Sequence, residues 1–164
     1  MNAKKISYGG IGTALGVLIL FLTRVIPINT LALLTLASCI IPLIIIKTDV
    51  KTAIYVYFAT ALIGFFITPG TYSLMYALIF GVYGIIKYYI EKLNKLYIEI
   101  ILKYVYFNIT LVISYLLIGS LVGAFNISLP LWIFIILAEI SFAIYDYALT
   151  VVISFFLNSI IKRK

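Results

Sequence analysis

The sequence predicts an all-α fold, a polytopic membrane bundle of about six transmembrane helices with both termini cytoplasmic, and three observations lead there. The chain is 65% hydrophobic and only 10% charged, with a mean hydropathy of +1.25. A water-soluble domain of this length needs far more polar covering. The apolar runs are long and lack the period-2 alternation of a barrel strand, and in lipid every backbone N–H and C=O must be satisfied within the protein, which selects helices. Finally, the basic residues cluster at alternate ends of successive runs, the pattern that short loops show when one side is cytoplasmic.

The first run, 6–23, follows Lys4 and Lys5 and stops at Arg24. Basic residues before an apolar stretch also begin signal peptides, and Leu36-Ala37-Ser38-Cys39 has the look of a lipoprotein cleavage box. Apolar sequence resumes at once after Cys39, however, so this segment reads as a retained helix. Runs 30–46 and 51–68 flank Lys47 and Lys51, run 72–90 leads into Lys92 and Lys95, run 103–123 opens on Lys103, and run 131–160 precedes Lys162, Arg163 and Lys164. Each is close to the ~20 residues a helix needs to cross. With six spans all of these lysines, and Lys87, share one side, and Arg24 alone marks the other. A five-helix count breaks that alternation.

The predicted outer connections, Arg24 to Asn29, Thr68 to Ser73 and Ala124 to Pro130, are short and each contains a proline, enough for a small cap but no outer domain. The stretch 91–102 places Leu93, Leu96, Ile100 and Ile101 against charged neighbours. It reads either as a helix on the inner membrane surface or as a continuation of its flanking helices. Residues 1–164 form a single integral membrane domain.

The formal charge of +7 is spread along the ends of apolar runs rather than gathered on one soluble face, so membrane topology explains it and no nucleic-acid partner is expected. Cys39 is the only cysteine and there is no histidine, which removes internal disulfides, cysteine-based metal sites and the commonest metal ligand and general base. No metal or cofactor is expected. Paired intramembrane aspartates, a nucleophile with its base and a phosphate-cradling glycine loop are also missing; Tyr145-Asp146 supplies half of an aspartyl-protease pair and no second half. The chain is expected not to be an enzyme.

Two carboxylates fall inside the last run. Glu139 and Asp146 are two helical turns apart and so share one face. A ruler of ~1.5 Å per residue, counted inward from the outer ends of the last two runs, sets Tyr115 near the depth of Glu139 and Asn108 near that of Asp146. Asp146 is expected to bond Asn108, or a tyrosine, as an intramembrane polar pair joining two helices. Glu139 is expected to face an outward pocket, meeting a solute or pairing with Arg24. Among the 14 tyrosines, Trp132, Tyr72, Tyr88, Tyr89 and Tyr104 fall at span ends, where aromatic rings anchor helices at the headgroups. Tyr76, Tyr83, Tyr115 and Tyr145 are placed to line a site for a ring-shaped solute. In the first run, Gly10 with Ala14 and Gly12 with Gly16 place small residues four apart, so another helix can approach closely, either within this chain or from a separate subunit.

With these features the chain resembles the substrate-binding S components of energy-coupling factor (ECF) transporters. The resemblance covers most of the chain: six helices, both ends inside, short outer loops, the small residues Gly10, Gly12, Ala14 and Gly16 near the start of the first helix, and the stretch from Ile41-Pro42 through Lys47-Thr-Asp-Val-Lys51 to Gly81-Val-Tyr-Gly84. It implies a solute-binding subunit of the cell membrane that captures a small molecule from outside and depends on a separate transmembrane coupling subunit and ATPases. Gly10, Gly12, Ala14 and Gly16 would then dock the coupling subunit, and Glu139, Arg24, Tyr115 and Tyr76 would form the outer-half pocket. The alternative, from another class, is a non-transporting scaffold or regulatory membrane protein of the same fold.

Overall fold

A computed structural model describes residues 3–26, 28–68, 70–122 and 130–161. Pro27, Pro69, the connection 123–129 and the basic residues Lys162, Arg163 and Lys164 lie outside the described residues. Among the described residues, six helices are long and apolar enough to cross a membrane. They are α1 (Ala3–Val25), α2 (Thr30–Lys47), α3 (Val50–Ile67), α4 (Gly70–Glu91), α5 (Leu96–Val122) and α6 (Leu131–Ile161). Consecutive helices run in opposite directions, so Lys5, Lys47, Lys51 and Lys92 gather at one end of the bundle, called here the basic end. Arg24 marks the far end.

The 91–102 stretch resolves into a turn and a helix start. α4 ends at Glu91, Asn94 takes a left-handed conformation (φ 50°), and α5 is helical from Leu96. Asparagine tolerates that conformation better than most side chains, and so it reverses the chain here. Continuation of the flanking helix is therefore the reading that holds, and α5 begins about two turns before the predicted 103.

α2 is the hub. It packs on α1, α3, α4 and α6, while α1 also packs on α3 and α4 on α5. Glycine sets the closeness of the first three helices: a Cβ on Gly12 would come within 2.8 Å of Ile44, one on Gly16 within 2.8 Å of Thr60, and one on Gly64 within 2.8 Å of Leu20. Such distances leave room for a hydrogen atom and nothing larger. At the basic end Asp49 caps α3 by accepting from the Thr52 amide (2.8 Å) and receives Lys5 Nζ at 2.5 Å, tying the start of α1 to the α2–α3 turn. At the far end Arg24 donates to the Ile67 carbonyl (3.3 Å), placing its charge at the negative C-terminus of α3.

Candidate functional site

Midway along α4 the α-helical pattern opens into one π turn, Tyr76–Phe80. A π turn widens the helix and turns carbonyls away from their usual partners. Here three other helices each send a tyrosine hydroxyl to a carbonyl of the turn. The Tyr57 hydroxyl of α3 donates to the Ala77 carbonyl (2.8 Å), Tyr106 of α5 to Leu78 (3.2 Å), and Tyr145 of α6 to Phe80 (3.1 Å). Tyr57 can reach across because Gly81 has no side chain; a Cβ there would stand 2.8 Å from the Tyr57 ring. Three of the 14 tyrosines thus have a local role here, since a phenol is long enough to cross between helices and still ends in a donor.

Around the π turn the chain builds three layers. Towards the far end lies a cavity of about 470 Å³ between α2, α4, α5 and α6, lined by Leu31 and Thr35, by Met75, Ile79 and Phe80, by Phe107, Leu111, Ser114 and Tyr115, and by Phe134, Leu137, Ala138, Ser141, Phe142 and Tyr145. That volume is in the range of small-molecule sites. Its floor is an aromatic layer: Phe107 and Phe142 stack with centroids 4.3 Å apart, Phe80 meets Tyr145 edge-on at 5.0 Å, and Tyr83 stacks on Tyr106 at 5.6 Å. Such offset and edge-to-face pairs are the favoured aromatic geometries.

Beneath the floor, on the basic-end side, is a cluster of four charges. Lys87, fully buried, contacts Asp146 Oδ1, Glu91 Oε1 (2.8 Å) and Thr150 Oγ1 (2.8 Å). Lys103 reaches Glu91 Oε1 and Asp146 Oδ2, each at 3.0 Å. Tyr83 closes the group by donating to Asp146 Oδ1 at 2.7 Å. Two ammonium groups and two carboxylates cancel. The charges are therefore affordable in a helix bundle, where an unanswered one is not.

The predicted site residues divide accordingly. Tyr115 is on the cavity wall, whereas Tyr76, 1% exposed, is buried in the π turn outside the lining. Glu139 and Arg24 do not line the cavity and do not meet: Arg24 holds Ile67, and Glu139 Oε1 accepts from Asn108 Nδ2 at 2.7 Å. Asp146 is correspondingly bonded to Lys87, Lys103 and Tyr83 and not to Asn108. The polar pair expected between Asp146 and Asn108 is corrected: Asn108 pairs with Glu139, while Asp146 takes the tyrosine alternative, Tyr83, together with Lys87 and Lys103. Counting from loops misplaced the register of α5 on α6 by about two turns, because side-chain pairing sets that register.

The small residues of α1 divide as well. Gly12 and Gly16 are buried against Ile44 and Thr60, so they serve packing within the chain, while Gly10 and Ala14 are exposed and a Cβ on Gly10 would meet nothing. Docking by Gly12 and Gly16 is thus corrected to internal packing. The lysine cluster was missed because Lys87 and Lys103 read as ordinary topology markers. Lys87 and Glu91 stand four residues apart near the end of an apolar run, with Asp146 unanswered in another, and that combination was the available signal. No family model, curated protein or solved structure matches this chain.

Proposed function

We propose that the protein is a membrane-embedded solute-binding subunit of an ECF-type uptake transporter in the cell membrane. In this reading the basic end faces the cytoplasm, and the cavity in the far half captures a small molecule from outside. Energy comes from a separate coupling subunit and ATPases, and the chain has no catalytic activity of its own. The observation that carries the reading is the 470 Å³ cavity closed below by aromatic rings and a neutralised charge cluster. A floor of this kind separates a captured molecule from the cytoplasmic end until the helices move. The exposed Gly10 and Ala14 surface of α1 is the docking face for the coupling subunit.

One observation favours the second reading, a non-transporting scaffold: Asp146 is answered by Lys87 and Lys103, and one oxygen of Glu139 by Asn108, all of them side chains of this chain. The two are separated by purifying the tagged protein from its native membrane in gentle detergent and identifying co-purifying proteins and released small molecules by mass spectrometry. The expected result is a stoichiometric small molecule, with an ATPase and a second membrane subunit. Filling the cavity with Ala138→Trp or Leu111→Trp should abolish the small molecule and keep the unfolding midpoint near that of the wild type. Recovery of envelope proteins alone, with nothing small released from the wild type, overturns capture in favour of the scaffold.

A further inference from the structure

Among the described residues, every hydrogen-bonding group on the cavity wall has an internal partner or an exposed position, with one exception. Thr35 donates to the Leu31 carbonyl (2.9 Å), Ser141 to Leu137 (2.7 Å) and Tyr145 to Phe80 (3.1 Å), and Tyr115 is 55% exposed. Ser114 is 5% exposed, and its hydroxyl has no hydrogen-bond partner. A buried hydroxyl without a partner loses its hydration and regains nothing, so the position is costly in the empty protein. Serine χ1 rotates among three staggered wells, so this hydroxyl can turn to a group that enters the cavity.

Charge tells a second, independent story. Among the described residues no Asp, Glu, Lys or Arg lines the cavity. The membrane carboxylates and Arg24 stand outside the lining: Asp146 is held by two lysines, Arg24 by the end of α3, and Glu139 by Asn108 at Oε1, with its Oε2 buried and unpartnered away from the cavity wall. An ionised solute would enter such a wall without a counter-charge and lose most of its hydration energy. Six of the lining residues are aromatic, Phe80, Phe107, Phe134, Phe142, Tyr115 and Tyr145, which offers faces and edges to a flat ring rather than the even aliphatic surface that an acyl chain fills.

From this geometry we infer that the captured solute is an uncharged, flat aromatic or heteroaromatic molecule bearing one hydrogen-bond acceptor that takes the Ser114 hydroxyl. The inference rests on the capture reading and assigns its substrate class. Ser114 is the specificity-determining position, because a site built to bond one polar group discriminates against an analogue that lacks it. The rings supply affinity to any flat apolar body of the right size.

The experiment uses the full chain in lipid nanodiscs, with ¹⁹F NMR of three probes measured against empty nanodiscs: 6-fluoroquinoline, its acceptor-free isostere 2-fluoronaphthalene, and the permanently charged N-methyl-6-fluoroquinolinium. Quinoline binding should saturate and be lost with Ala138→Trp, and Ser114→Ala should weaken it about five- to tenfold, the size of one hydrogen bond. Naphthalene should be indifferent to Ser114→Ala, and the quinolinium should not bind. Without any probe, Ser114→Ala should leave the thermal midpoint unchanged or raise it, since the hydroxyl it removes has no partner to lose. An unchanged quinoline affinity in Ser114→Ala, or saturable cavity binding of the quinolinium, overturns the assignment and leaves capture standing. Failure of all three probes to bind also overturns it; capture then stands or falls on whether the native membrane yields a stoichiometric molecule.

Discussion

The first three helices and the last three solve the same packing problem in opposite ways. α1, α2 and α3 meet where side chains of one helix seat on the bare backbone of Gly12, Gly16 and Gly64, and among the described residues the Lys5–Asp49 and Arg24–Ile67 ties at their ends are the polar bonds that join them. α4, α5 and α6 are held by long side chains: Tyr106 and Tyr145 on the π turn, stacked phenylalanines and a four-charge cluster, while Tyr57 of α3 ties that turn to the first three helices. Long side chains act as spacers. Helices held apart at one end by rings and ion pairs leave volume at the other, whereas glycine contacts leave none. The contrast teaches that the capacity for a ligand in this bundle comes from the tyrosine-rich half, and that the glycine-rich half is the frame against which it is built.

Breaking the charge cluster should have the largest effect. Asp146→Ala leaves the buried Lys87 without its closest counter-charge, and loss of one partner of a buried ion pair typically costs about 3–5 kcal/mol. Denaturant titration of the detergent-solubilised protein would register it as a large fall in the unfolding midpoint. The double variant Lys87→Met with Asp146→Leu should recover much of the loss, since an apolar pair needs no counter-charge. A single variant as stable as the wild type would mean that the cluster does not hold these helices.

Glycine replacement tests the other half. Gly16→Leu must push Thr60 away from a 2.8 Å contact, and overpacking of this kind typically costs about 1–3 kcal/mol. Gly10→Leu meets nothing within the chain and should leave the same unfolding curve where it was. Equal effects from the two would erase the distinction between an inward and an outward small-residue face.

The smallest effect is expected where the frame meets water. Hydrogen bonding from Lys5, and then from Thr52, holds the Asp49 carboxyl well below the usual carboxylate range. A depressed folded value means that the stabilisation is fully present above the unfolded pKa of ~3.9 and is lost as pH falls through the folded one. The stability difference between wild type and Asp49→Asn should therefore be constant from about pH 5 to 8 and shrink in stronger acid. A difference that grows on acidification would reverse that sign and exclude ionised Asp49 as the stabilising form.

Much of this was readable from residue order. Helix number and approximate bounds follow from apolar run length against bilayer thickness, and the sidedness of the lysines follows from the same runs. Glu139 and Asp146 stood out because any carboxylate in an apolar run must find a partner. Depth along the run puts Tyr115 in the outer half, where it lines the cavity, and small-residue spacing marks Gly12 and Gly16 for the helix contact they make.

Which partner each residue takes was decided only by tertiary structure. Run length fixes how many helices there are but not their rotation or sliding against one another, and a slide of two turns moves Asn108 from Asp146 to Glu139. Rotation likewise sends Gly12 and Gly16 inward and Gly10 and Ala14 outward, although both pairs have the same spacing. The π turn, the tyrosines that satisfy it and the cavity above it depend on three helices meeting one backbone irregularity at once. No periodicity within a single segment encodes that meeting, because the donors lie 20 to 65 residues from their acceptors.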